Sequence, residues 1–287
     1  MRGLRYVLCD VFTNRPLTGN ALAVFTDARG VPDETMGALA RELNLSEATF
    51  ITPAESGGTA RVRIFTPRQE IPFAGHPILG SAAVLAAPLE RESIVLETGI
   101  GHVEVVLRRP ATGSVEAAFS RPVPDQAGEI DEALLARALR LPAPAVSLDV
   151  YDVGLRHLVV VVANAEELRS LQPDLAELAR LACDTIEVCV AQGETVELRV
   201  FAPKHGVAED PATGSAVGPV LWHLHRHGTV AMGATVVVRQ GDHLGRPSRL
   251  IGRLHQRGVR PEVEVAGAVV TVARGEFRVE GLTGRAH

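Results

Sequence analysis

Arg63-Ile-Phe-Thr-Pro67 returns in the second half of the chain as Arg199-Val-Phe-Ala-Pro203. Each copy leads through a polar loop into a turn of small residues that opens an apolar helix. In the first half this reads Ala74-Gly75-His76-Pro77-Ile-Leu-Gly80-Ser-Ala-Ala-Val-Leu85. In the second it reads Thr213-Gly214-Ser215-Ala216-Val-Gly218-Pro-Val-Leu-Trp222. The parallel extends upstream through Asp10-Val11 and Asp152-Val153, then through apolar strands at Ala21–Phe25 and Leu158–Val162. A helical segment and a strand holding Glu47 or Glu187 follow in each half. A supersecondary unit that recurs in order is the signature of duplicated architecture.

The rest of the pattern is predominantly strand. Runs rich in β-branched residues lie at Leu4–Phe12, Thr49–Thr52, Arg61–Phe65, Ile94–Leu96, Val103–Leu107, Val196–Phe201, Val236–Val238 and Val269–Val272. Helical periodicity is found at Asp33–Leu43, His76–Ala87, Ile130–Leu139, Asp174–Leu181 and Ser215–His225. Short turns favour antiparallel pairing. In each half one helix is apolar all round, so it must be buried. The expected fold is therefore α+β, with two pseudo-symmetric domains, each a mostly antiparallel sheet wrapped around a central apolar helix. Ser120-Arg-Pro-Val-Pro-Asp125 is the expected linker. It divides residues 1–120, joined by a C-terminal strand at about 272–287, from residues 126–271.

Composition narrows the function. With 46% hydrophobic and 22% charged residues, the 287-residue chain is an ordinary globular protein with room for two domains. Its net charge of −5 gives no footprint for nucleic acid. Apolar runs such as Leu158–Ala163 fall far short of a membrane span. The N-terminus lacks a signal-peptide layout. Cys9, Cys183 and Cys189 show no CxxC spacing and read as buried thiols. Together these features predict a cytoplasmic protein.

Six segments carry a resemblance. They are Asp10–Phe25, with its Gly19-Asn20 turn; Leu45-Ser-Glu47-Ala-Thr-Phe50; and Phe73-Ala-Gly75-His76-Pro77-Ile-Leu-Gly80. Glu209-Asp210-Pro-Ala-Thr-Gly214-Ser215-Ala216, Gln240–Ser248 and Val263-Glu-Val-Ala-Gly267 complete the set. In this order they resemble the PhzF-like family of phenazine biosynthesis, whose fold is shared with diaminopimelate epimerase. The resemblance implies that Glu47 moves a proton between two carbons of the substrate. It also implies that His76 and Asp210 share in catalysis, and that Asn20, Gly75, Gly214 and Ser215 line the substrate site. Ala74 and Thr213 stand where epimerase relatives carry paired cysteines, which argues against two-base racemisation. The alternatives left open are an amino-acid-type epimerase or racemase, and a catalytically idle small-molecule-binding relative.

The chemistry fits these residue types. Moving a proton from carbon to carbon needs one shielded group that accepts it and returns it, and a carboxylate lifted toward neutrality suits that task. Glu47 is therefore expected at the floor of an inter-domain cleft. Helix starts at Gly75-His76 and Gly214-Ser215 would turn backbone N–H groups toward a carboxylate-bearing substrate. The expected substrate is small, carboxylated and cyclic or conjugated. No nucleotide-binding glycine fingerprint occurs. His223, His225 and His227 resemble a metal run, but only His223 and His227 share a helical face and no third ligand is apparent. No metal and no cofactor are expected, and a homodimer is expected by analogy.

Overall fold

A computed structural model describes residues 2–110, 114–141 and 145–279. The chain forms two compact units, one running to Phe119 and resuming at Gly267, the other spanning Ser120–Ala266.

The first unit begins with β1 (Arg2–Val11), β2 (Asn20–Phe25), α1 (Asp33–Leu43), β3 (Glu47–Thr52), β4 (Ala60–Phe65) and β5 (Glu70–Ile71). It continues with α2 (Gly75–Ala86), β6 (Ser93–Thr98), β7 (Gly101–Arg108) and β8 (Val115–Pro122). Pairing is antiparallel for β1–β2, β3–β4, β4–β5, β6–β7 and β7–β8. It is parallel for β2–β3 and β4–β6.

The second unit holds β9 (Asp125–Gln126), α3 (Glu132–Leu139), β10 (Ser147–Asp152), β11 (Arg156–Val161), α4 (Ala165–Ser170) and α5 (Leu175–Leu178). Then come β12 (Thr185–Gln192), β13 (Thr195–Ala202), β14 (Val207–Asp210), α6 (Gly214–Arg226), β15 (Thr235–Gln240), β16 (Ser248–Arg257) and β17 (Arg260–Val279), which belongs to the first unit from Gly267 onward. The pairs β10–β11, β12–β13, β13–β14, β15–β16 and β16–β17 are antiparallel. β11–β12 and β13–β15 are parallel. Strand is the dominant element throughout, as the sequence indicates. Antiparallel pairs predominate, as expected, with four parallel pairs among the described residues. Two parallel neighbours need a crossover, and α1, α2, the pair α4 and α5, and α6 lie in the four.

Glycine spacing explains how α2 is held. The helix is buried along most of its length, from Gly75 to Ala86. A Cβ at Gly80 would stand 2.5 Å from Leu22 Cδ2 and 3.0 Å from Val11 Cγ2, so only glycine permits this approach to β1 and β2. Pro77 lies within the first turn, where a missing N–H breaks no helical bond. In the core cluster that includes Met36, Leu39 and Ala40 of α1, Phe25 and Phe50 stack with centroids 4.6 Å apart, and Phe65 meets Phe50 edge-on.

Several boundaries differ from the sequence reading. Ser120–Asp125 is not a free linker: its first residues finish β8 and Asp125 opens β9. Val123 donates its N–H to the Pro261 carbonyl at 3.1 Å. Pro122 is tolerated because it closes a strand. The helix expected at Asp174–Leu181 is cut to one turn, with Asp174 capping Ala176 and Glu177. The C-terminal strand is longer than expected on its N-terminal side, since β17 begins at Arg260 and pairs with β16 and then β1. Residues 280–287 of that expected strand lie outside the described residues.

Candidate active site

Asn20, Glu47 and His76 converge in the first unit. Glu47 opens β3 beside Leu22 of β2, and Asn20 is the first residue of the same β2. His76 is the second residue of α2. The Glu47 side chain is 14% exposed and that of His76 2%. Oε2 of Glu47 lies 3.4 Å from Nε2 of His76. On the other edge of the ring, the Asn20 amide nitrogen donates to Nδ1 at 3.2 Å. A donor at Nδ1 leaves the proton of a neutral imidazole on Nε2, the nitrogen nearer the carboxylate, although the two atoms make no hydrogen bond with each other. Burial pushes the His76 pKa down to about 3, so the ring is neutral at physiological pH.

Local backbone fixes the position of Asn20. Gly19 precedes it with φ +68, and a Cβ there would collide with the Val11 carbonyl and the Thr13 side chain. Asp10 accepts the Leu17 N–H at 2.6 Å, closing the loop from its base. Under α2, Ser81 donates to Thr49 at 2.9 Å, tying the helix to β3 one turn beyond His76.

Asp210, Gly214 and Ser215 belong to the second unit. Asp210 ends β14 and is buried, Gly214 opens α6, and half-buried Ser215 follows it. The Thr213 hydroxyl donates to Asp210 Oδ2 at 2.5 Å instead of capping the helix. Gln240 holds this turn from three sides. Its Oε1 accepts the Thr213 N–H at 3.0 Å, and its Nε2 donates to the Asp210 carbonyl at 2.7 Å and to Thr213 Oγ1 at 3.0 Å. Ser248 donates to the Pro211 carbonyl at 2.9 Å. Neither Gln240 nor Ser248 is assigned a role by the sequence. Their signal is the Gln240–Ser248 segment, which the resemblance marks without explaining.

The cysteines take no part in acid–base chemistry. All three are buried, and burial pushes the thiols of Cys183 and Cys189 up to about 12 and that of Cys9 higher still.

Residues 9–275 match the model of the phenazine biosynthesis-like protein family. The chain belongs to this family. A trans-2,3-dihydro-3-hydroxyanthranilate isomerase from Pseudomonas fluorescens is 39% identical over 94% of this chain and 98% of its own length. The solved structure of a predicted epimerase from Pseudomonas aeruginosa is 35% identical, with a TM-score of 0.85 over 96% of this chain and 100% of that one. A hydroxyproline epimerase from Agrobacterium vitis, solved with bound trans-4-hydroxy-L-proline, shares the fold at a TM-score of 0.64 and 14% identity. It covers 96% of this chain and 92% of its own. As a member of the phenazine biosynthesis-like family, the chain is an isomerase. Among the described residues no helix is long and apolar enough to cross a membrane.

Proposed function

We propose that the protein moves a proton between two carbons of a small carboxylated ring, with Glu47 as the group that takes the proton and returns it. The Glu47–His76–Asn20 arrangement carries this reading. A carboxylate mostly out of water keeps an abstracted proton from exchanging at once with solvent. Beside it stands a histidine that is neutral and whose N–H is directed by Asn20. Such an imidazole stands next to Glu47 without adding a positive charge that would weaken the base.

The two units are read as copies of one design, each a sheet wrapped around an apolar helix, because their strands pair in the same succession. We assign substrate binding to the Gly75-His76 and Gly214-Ser215 helix starts, whose amides, with the Asp210 carboxyl, orient the ring and its developing charge. The Pseudomonas fluorescens relative points to trans-2,3-dihydro-3-hydroxyanthranilate, a carboxylated cyclic diene, as the first substrate to test. Proton migration on such a conjugated ring needs no cofactor.

The test is incubation of the purified protein with that compound in deuterated buffer, followed by NMR. Isomerisation without additives, with the migrating hydrogen kept or replaced by deuterium only at the receiving carbon, supports the reading. Deuterium entering with inversion at one stereocentre and no migration overturns it in favour of an epimerase.

A further inference from the structure

We propose that Asp149, His223 and His227 form a binding site for a transition-metal dication in the second unit. The sequence offers the two histidines, four residues apart on α6 and its C-cap, but not the third ligand. The fold supplies it from β10. Nδ1 of His223 lies 3.1 Å from Asp149 Oδ2, and Nε2 of His227 lies 3.4 Å from the same oxygen. One ligand atom from each of the three falls within 4.8 Å of the others. Bonds of 2.0–2.2 Å at tetrahedral angles put ligand atoms about 3.3 Å apart, so this set closes on zinc or cobalt with small rotations.

The surroundings are those of a held ligand set. The Ser147 hydroxyl sits 2.8 Å from Nε2 of His223, the nitrogen that would not face the metal, and fixes the ring. Tyr151 donates to Asp149 Oδ2 at 3.2 Å, and Gln126 donates to Oδ1. The His223 side chain is fully buried. His227 is 45% exposed, which leaves a path for the ion and a place for water as a fourth ligand. The negative end of the α6 dipole also favours a cation there. Two imidazoles and one carboxylate suit Zn²⁺, Co²⁺ or Ni²⁺ better than Mg²⁺ or Ca²⁺. Arg226 Nη1, 3.5 Å from Asp149 Oδ2, competes for the carboxylate. Its side chain is 38% exposed and can swing away into water. A bound ion would clamp the end of α6 to β10. Its existence does not depend on the reaction proposed for Glu47.

The experiment is titration of the full chain with Co²⁺ alone, followed by visible absorption and calorimetry, with Zn²⁺ as competitor. One equivalent of Co²⁺ should give ligand-field bands that Zn²⁺ abolishes, and the thermal midpoint should rise with metal. His227→Ala and Asp149→Asn, both at positions that are not fully buried, should each weaken binding by roughly tenfold or more. His225→Ala should leave it unchanged, because that ring turns away to the Val230 carbonyl. Absence of stoichiometric uptake by the wild-type chain overturns the proposal, as does uptake that survives both variants while their circular dichroism matches wild type.

Discussion

The amide nitrogen of Asn20 lies 3.2 Å from Nδ1 of His76, two buried side chains that one helix, α1, and three strands, β3 to β5, separate in the chain. That one hydrogen bond decides which nitrogen of the ring carries its proton, and so whether the nitrogen nearer Glu47 holds it. Asn20→Leu keeps the volume and removes the donor. A lost buried hydrogen bond of about 1–3 kcal/mol corresponds to roughly a 5- to 150-fold fall in kcat, with KM changed little. Nitrogen NMR of labelled histidine should show Nε2 protonated in the wild type and a tautomer mixture in the variant. An unmixed Nε2–H spectrum in Asn20→Leu would contradict this role.

Burial of His76 makes stability depend on pH. Its folded pKa of about 3 lies below its ordinary 6.5. Above pH 6.5 both folded and unfolded forms are neutral there, and the residue adds no pH dependence. As pH falls from 6.5 toward 3, the unfolded chain takes a proton that the folded chain refuses, and stability is lost. The full shift corresponds to about 5 kcal/mol. His76→Gln removes this loss, so its unfolding free energy should gain on wild type as the solution is acidified through that window. Urea denaturation of both proteins at several pH values measures the difference. Parallel curves would refute the burial argument.

The turn bearing Asp210 depends on Gly241. That residue has φ +81, and a Cβ would come within 2.5 Å of the Pro211 carbonyl oxygen and closer still to that of Arg246. Gly241→Ala should cost about 1–3 kcal/mol for the backbone conformation alone, with the collision in addition. Chemical denaturation checks this. Gln240→Ala should cost less stability but lower turnover, since it frees the Asp210–Thr213 turn without straining it. Equal losses of stability in the two variants would show that the strap is structural only.

Much of this architecture was legible because helix starts have local signatures. Gly75-His76-Pro77 and Gly214-Ser215 are small-residue turns before apolar runs, and α2 and α6 begin there. Glu47, His76 and Asn20 could each be named from short motifs. The Asn20–His76 bond could not, because the register that sets Asn20 facing the ring depends on β2 pairing with β1 and on Gly80 letting α2 close in. Asp149 escaped notice for a similar reason. Its link to His223 spans 74 residues, and no local pattern records a contact made by a sheet with a distant helix. The Ser120–Asp125 stretch opens the second unit, yet its prolines close a strand instead of marking a free linker. The parallel pairs were hidden because their strands read locally like any others.

Glu47→Gln tests the central claim most directly, since it keeps the side chain's shape and removes the group that titrates. With trans-2,3-dihydro-3-hydroxyanthranilate as substrate, both isomer formation and deuterium uptake should fall by about 10²–10⁴ or more while substrate still binds. A Gln variant that isomerises at the wild-type rate would contradict the account.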